Sequence, residues 1–221
     1  MTTILILGAS RGLGLELVRQ YSEAGHRVIA TVRDDAGRAR VQALGAELLT
    51  VDLASAASVS GLAWQLDGEK IDLALYMAGL WDAHDATTPP THAQFDRVMH
   101  ANVLGAMQAL PQVAPMVEEA GGVFGFFTSE MSLISEADSD ACLYRVSKAA
   151  LNMAVAAAQP VWPRATLVAL DPGWTQTDMG GAAAPLTVEQ SVQGLVRTLA
   201  SVTAADRGRL LHHDGRRAAQ W

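Results

Sequence analysis

A strand-like apolar run, Thr3-Ile4-Leu5-Ile6-Leu7, stops at Gly8-Ala9-Ser10-Arg11-Gly12-Leu13-Gly14, after which Leu13, Leu17, Val18 and Tyr21 recur at helical spacing. A strand that turns straight into a helix cannot form a hairpin with its successor, so the chain must cross over and return parallel. The alternation continues to the C-terminus. Strands are predicted near residues 3–8, 27–32, 46–51, 71–76, 122–128, 165–170 and 209–212, and helices near 12–24, 36–44, 55–66, 92–119, 141–159 and 187–201. Right-handed crossovers between such strands build a sheet covered by helices on both faces. The expectation is one doubly wound α/β domain over residues 1–221, with a mostly parallel sheet of six or seven strands. Pro111 and Pro115 fall inside the 92–119 segment and predict a break or kink there.

Glycines on a strand-to-helix turn let the backbone bend sharply and bring bare N–H groups of a helix N-terminus up to a pyrophosphate. The spacing here is Gly-x-x-x-Gly-x-Gly rather than the commoner Gly-x-Gly-x-x-Gly, and a glycine-rich turn without ligand is the competing reading. A phosphate ligand would have to be met by local groups. The chain has 221 residues, half of them apolar, a net charge of −7 and no lysine-rich run, which argues against nucleic acid or an anionic membrane as partner. No apolar stretch approaches the ~20 residues of a membrane span. The single cysteine, Cys142, excludes an internal disulfide and reads as a packed residue rather than a nucleophile. The first residues lack a secretory pattern, so the expected location is cytoplasmic. The six histidines show no metal-ligand pairing; His212-His213 reads as a solvated strand end, and no metal is expected.

Tyr144-Arg145-Val146-Ser147-Lys148 sets a phenol and an ammonium four residues apart, on one face of a helix. A phenol titrates near ~10 in water, and a cation held beside it would stabilise the phenolate and ease proton transfer at neutral pH. By itself the spacing is more often that of a helix with one solvated lysine; its context is what singles it out. At the end of the second strand, Val32-Arg33 stands where an NAD-selective site places an acidic residue. Arg33 and Arg11 are thus two guanidiniums for one 2′-phosphate, which favours NADP(H). Pairing of Arg33 with Asp34 or Asp35 is the competing reading. After the third strand, Val51-Asp52-Leu53 offers a carboxylate either to an adenine amine or as a helix N-cap.

Taken in order, Gly8-x-x-x-Gly12-x-Gly14, Val51-Asp52-Leu53, Ala78-Gly79, Asn102, Ser129, Tyr144-x-x-x-Lys148 and Pro172-Gly173-Trp174-Thr175-Gln176-Thr177-Asp178-Met179-Gly180 resemble the short-chain dehydrogenase/reductase family over essentially the full chain. The resemblance is strongest to its compact branch of C-factor and sniffer-type carbonyl reductases. It implies a Rossmann-type fold and an NADPH-dependent exchange of hydride between nicotinamide and a carbonyl or alcohol. Tyr144 would be the general acid/base, Lys148 would lower its proton affinity and hold the nicotinamide ribose, and Ser129 would bind the substrate oxygen. Asn102 would hold a proton-relaying water through a local helix distortion. Gly8, Ser10, Arg11, Gly12, Leu13, Gly14, Arg33, Asp52, Leu53, Ala78, Gly79, Tyr144, Lys148, Pro172, Gly173, Thr175 and Thr177 would line the cofactor. A dinucleotide-bound signalling or regulatory protein of the C-factor type is the alternative the same resemblance allows.

The chain also departs from that family. Leu7 replaces a frequent threonine, and Tyr76-Met77-Ala78-Gly79 replaces Asn-Asn-Ala-Gly, so fewer hydrogen bonds are expected to brace the cofactor turn. Ser132 is a rival to Ser129, which is preferred because it directly follows the apolar run 122–127. Trp81, Met131, Trp174 and Met179 are expected to wall a substrate site, with ordinary packing as the competing reading of each tryptophan. Gly180, Gly181 and the alanines after them suggest a short, mobile loop. The helix at 141–159 is small-sided over more than one face, which predicts a homodimer, or a tetramer built by further contacts.

Overall fold

The computed structural model describes residues 2–220. Seven parallel strands, β1 (Thr3–Leu7), β2 (Arg27–Val32), β3 (Glu47–Thr50), β4 (Leu73–Tyr76), β5 (Val123–Phe127), β6 (Thr166–Asp171) and β7 (Arg209–His212), form one sheet in the order β3-β2-β1-β4-β5-β6-β7. The strand order reverses at β1/β4, the kind of switch point that opens a crevice at the C-terminal strand ends.

Because the strands are covered on both faces, successive residues feed two separate cores. Leu5 and Leu7 point toward α3 (Ala56–Val59), α4 (Leu62–Gln65), α6 (Gly105–Ala120) and α7 (Cys142–Ala158). Ile4 and Ile6 point toward α1 (Gly12–Glu23), α2 (Asp35–Gln42) and α8 (Val188–Ala200). The remaining helix, α5 (His92–Met99), starts from a capping box in which Thr91 and Gln94 satisfy each other's backbone N–H. The expected 55–66 helix is two short ones, separated at Ser60-Gly61.

The expected break at Pro111 and Pro115 is corrected by the structure. Both prolines lie inside the continuous α6, on its exposed side, where a missing N–H leaves a carbonyl that solvent can reach. The segment divides earlier, at a π-helical turn, His100–Leu104, that turns Asn102 fully inward. Just beyond it the helix runs so close to the sheet that a side chain at Gly105 would meet Tyr76 Oη and the Leu53 carbonyl.

Candidate active site

Every segment singled out in the sequence meets at the C-terminal edge of this sheet. The glycine turn follows β1, Arg33 follows β2, Asp52 follows β3, Met77 to Gly79 follow β4, Ser129 follows β5, and Pro172-Gly173 follow β6. Gly12 takes a left-handed φ of +53°, and a side chain at Gly14 would run into the Gly8 carbonyl, so α1 starts tight against the end of β1. The hydroxyl absent at Leu7 is supplied from elsewhere: Gly8 N donates to Thr31 Oγ1 at 2.9 Å, from the neighbouring β2. The expectation of a less braced turn is therefore corrected at this bond.

The end of the crevice around Asn102, Tyr144 and Lys148 is a buried polar network. Asn102 Oδ1 accepts from Leu80 N at 2.6 Å, while its Nδ2 donates to Leu80 O at 2.9 Å and to Ser147 Oγ at 2.8 Å. Ser147 Oγ passes its own proton to the Tyr144 carbonyl at 2.7 Å. Asn102 thereby ties the loop after β4 to the helix that carries Tyr144. Lys148 is buried beneath it, its Nζ donating to the Phe127 carbonyl at 2.8 Å. A Cβ on Gly79 would lie 3.1 Å from that ammonium and 3.6 Å from Asn102 Oδ1, so this glycine keeps open the space in front of the lysine. The start of α7 is fixed as well: Ala141 takes a left-handed φ of 47°, and Cys142 N donates to the His84 carbonyl at 2.9 Å.

Burial dominates the electrostatics. It pushes the Tyr144 phenol up to about 12, while the facing Ser129 hydroxyl pulls it down and the charge of Asp171 pushes it further up. Burial brings the Lys148 ammonium down to about 8. The expected lowering of the phenol by Lys148 is not seen: Nζ sits 5.7 Å from the ring centroid and spends a hydrogen bond on Phe127. Ser132, the rival hydroxyl, turns away from the phenol, donating to the Ser129 carbonyl at 2.5 Å and accepting from Asn152 Nδ2 at 2.7 Å.

Trp81 lies against Tyr144, ring centroids 4.7 Å apart, at the mouth of the crevice. Trp174 and Met179 are exposed on the loop after β6, with Trp174 Nε1 donating to the Gly180 carbonyl at 2.8 Å, and Met131 is half-buried after β5. That loop is not the loose segment its glycines and alanines suggested. Gln176 N donates to Leu186 O, Leu186 N to Trp174 O and Gln176 Nε2 to Ala184 O, a parallel bridge that closes the loop into an arch. Thr175 and Thr177 sit within the arch. Thr175 Oγ1 reaches the Pro172 and Gly173 carbonyls, and Thr177 lies beside Gly12.

The adenosine end is open and charged. Arg11, expected to face a phosphate, donates to Asp178 at 2.8 Å across the crevice, and Arg33 stands 3.5 Å from Asp34, the competing pairing. Sequence reasoning missed Arg40, whose Nε donates to the Ser10 carbonyl at 2.8 Å, a third guanidinium beside the glycine turn. Its signal was its place in the last turn of α2, the helix that follows β2. Asp52 is exposed, and its Oδ1 accepts from Ala54 N; Ser55 caps α3 instead. Sequence reasoning also misplaced His212. It is buried, not solvated, and its Nδ1 pairs with Asp171 Oδ2 at 2.9 Å. No described helix is long and apolar enough to cross a membrane.

A chain 29% identical, aligned over 97% of this one and 98% of its own length, is a 1-hydroxy-2-glutathionyl-2-methyl-3-butene dehydrogenase of Rhodococcus sp. (strain AD45). The C-signal of Myxococcus xanthus is 33% identical over 66% of this chain and 90% of its own. A solved carbonyl reductase from Pseudomonas aeruginosa PAO1, in complex with NADP, superposes over 100% of both chains with a TM-score of 0.86 at 28% identity. The family model for short chain dehydrogenases matches residues 2–185, the stretch that holds the glycine turn, the buried Asn102–Lys148 network, Tyr144 and the arch after β6, and this chain belongs to that family.

Proposed function

We propose that the protein is an NADP(H)-dependent oxidoreductase that reduces aldehydes or ketones and runs in reverse on alcohols. The observation that carries this reading is a buried Tyr144 with a buried Lys148 on the same helix, Nζ 5.7 Å from the centroid of the phenol ring, and Trp81 against that ring with centroids 4.7 Å apart. The crevice suits a dinucleotide. The N-terminus of α1 offers its N–H groups, Gly79 leaves room before the ammonium, and Arg11, Arg33 and Arg40 surround the adenosine end. The NADP-bound carbonyl reductase of similar fold supports the same choice. When bound, the cofactor supplies the hydride.

The chain's own groups do the rest. Ser129 Oγ donates to the substrate oxygen and steadies the negative charge that grows there. Tyr144 Oη gives that oxygen a proton. The phenol is held protonated at neutral pH by burial, which suits reduction, and a positive charge drawn close to it brings its proton affinity down toward the working range. Lys148, once a ribose hydroxyl replaces Phe127 as its partner, is that charge. Asn102 fixes the loop before Trp81 and the Tyr144 helix in one geometry. Mixing protein, NADPH and a panel of aldehydes and ketones should deplete the absorbance of reduced nicotinamide. No depletion with any of them would favour the second reading, a dinucleotide-bound signalling protein, which the match to C-signal supports.

We also propose a homodimer. Leu104, Met107, Pro111 and Pro115 form an exposed apolar stripe on α6, and Val146, Met153 and Ala157 form another on α7. Two such stripes on exposed helices, one of them small-sided, suit close isologous contact. Light scattering at micromolar protein should give twice the 23.3 kDa chain mass.

A further inference from the structure

At the far side of the crevice, β6 and β7 end in register, Asp171 opposite His212, and both side chains are buried. Asp171 Oδ2 accepts from His212 Nδ1 at 2.9 Å, and Oδ1 accepts from Gly173 N at 3.2 Å. One carboxylate thus joins the end of the last strand to the Pro172-Gly173 turn, from which the arch over the crevice departs. His213 completes the grip: its N donates to the Asp171 carbonyl, and a Cβ on Gly173 would lie 2.8 Å from its Cε1. The end of β6 also adjoins the end of β5, since Phe127 pairs with Leu170 and Thr128 N donates to the Leu170 carbonyl, one residue before Ser129.

We propose that His212 is a positioning residue for proton transfer: through Asp171 it sets how much negative charge faces the Tyr144 phenol, and it holds the turn that leads to Thr175. The proposal rests on Tyr144 being the proton donor. The charged groups facing His212 are Asp171 from β6, Glu130 from the turn after β5 and Arg216 from its own C-terminal segment; α8 contributes only the Thr198 hydroxyl, to the backbone. The hydrogen bond with Asp171 raises the proton affinity of His212 above its ordinary value, against the opposing effect of burial. A groove of about 380 Å³, lined by Ser135, Glu136, His212, Arg216 and Arg217, connects the imidazole to solvent, so its proton can exchange without opening the crevice. Below its titration point the imidazolium cancels the Asp171 charge and the phenol is the stronger acid. Above it the carboxylate stands uncompensated, and the phenol holds its proton more tightly.

The test follows Tyr144 without requiring turnover. The chain has three tyrosines, so the Tyr144 ¹³Cζ resonance of labelled protein is identified by its loss in Tyr144→Phe. In the wild type that resonance should move through an inflection at the His212 titration, and in His212→Asn, which keeps a neutral donor toward Asp171, the inflection should vanish. In carbonyl reduction, wild-type kcat should fall about three- to tenfold as pH rises through the same point. His212→Asn should stay on the lower plateau across that range and Asp171→Asn, whose Oδ1 can still accept from Gly173, on the upper one. A flat wild-type resonance, an inflection that survives in His212→Asn, or Asp171→Asn on the lower plateau would each overturn the proposal. If His212→Asn does not fold, the wild type and Asp171→Asn decide it. Absence of turnover with every carbonyl would sink the reductase reading, while the resonance still reports on the His212 link.

Discussion

The two ends of the crevice are built on opposite principles. At the adenosine end Arg11, Asp178, Arg33 and Asp34 are largely in water, where Arg11 and Asp178 join two loops and Arg33 pairs with the next residue in the chain. At the catalytic end Asn102, Ser147, Lys148, Asp171 and His212 are almost wholly buried, and each has a partner at hydrogen-bond distance. Exposed pairs hold their groups loosely and at little energy, so they can be exchanged for the charges of a ligand. A satisfied buried network is stiff, and the low dielectric that makes it stiff also moves its proton affinities. Recognition is thus assigned to the adjustable end and proton chemistry to the rigid end, and each can be tested by a substitution that leaves the other alone.

The largest effect is expected at the rigid end. Tyr144→Phe should cut reduction by at least about 10²–10⁴-fold, the usual reach of a positioned acid, with NADPH binding nearly unchanged because the phenol's task is the proton. Fluorescence titration of NADPH alongside turnover checks both halves. Wild-type turnover in this variant would remove Tyr144 from its role. Lys148→Met should lose both turnover and affinity, since the ammonium is placed to serve the phenol and a ribose.

The same lysine leaves a mark on stability. Unfolded, its amine holds a proton up to its ordinary 10.5; folded and buried, it releases it near 8. Between those values the unfolded chain binds more protons, so stability rises with pH. The penalty is complete below pH 8 and gone above 10.5, about 3 kcal/mol at about 1.4 kcal/mol per pH unit. Tyr144 works oppositely and higher: its raised affinity makes stability fall from pH 10 toward about 12. Urea midpoints without cofactor should therefore climb from pH 8 to 10. Lys148→Met should flatten that climb, and an unchanged slope would show that Lys148 is hydrated in solution.

These contrasts explain which parts were legible in the sequence. The places of the strands along the chain, the glycine turn and the positions of Ser129, Tyr144 and Lys148 are written in local periodicity and spacing, because each is set by a strand end or one helix turn. The distortion at Asn102 was implied by the family resemblance and not by spacing, and it is a π turn followed by Gly105, which passes close to Tyr76 and Leu53, residues distant in the chain. Thr31 replaces the hydroxyl missing at Leu7 from a different strand, and His212 meets Asp171 only because β6 and β7 pair in that register. The prolines of α6 misled because proline's cost depends on whether its freed carbonyl can reach water, and on the exposed side it can. At the adenosine end the residue types were evident, but which ion pairs form among exposed arginines and aspartates is a small energy difference that no spacing encodes.

The adjustable end gives smaller effects. With Arg33 where an acidic residue would select NADH, and Arg40 beside it, NADPH should bind at least ~10-fold tighter than NADH. Arg33→Ala should bring the two dissociation constants toward each other while leaving kcat on saturating NADPH in place. Equal affinities in the wild type would show that Arg33 stays with Asp34 when the cofactor binds.

The smallest effect decides what the Arg11–Asp178 pair is for. The two side chains meet at 2.8 Å although both are largely exposed, joining the glycine turn to the arch after β6. If Arg11 must leave Asp178 to meet a cofactor phosphate, the pair competes with binding, and Asp178→Asn should tighten NADPH by less than about fivefold, the range expected when a screened surface pair is broken. Raising the salt concentration should shrink that gain, because salt weakens the wild-type pair as the substitution does. Weaker NADPH binding in Asp178→Asn would mean instead that the pair closes the arch over the bound dinucleotide, and the open end would then share the rigidity now assigned only to the catalytic one.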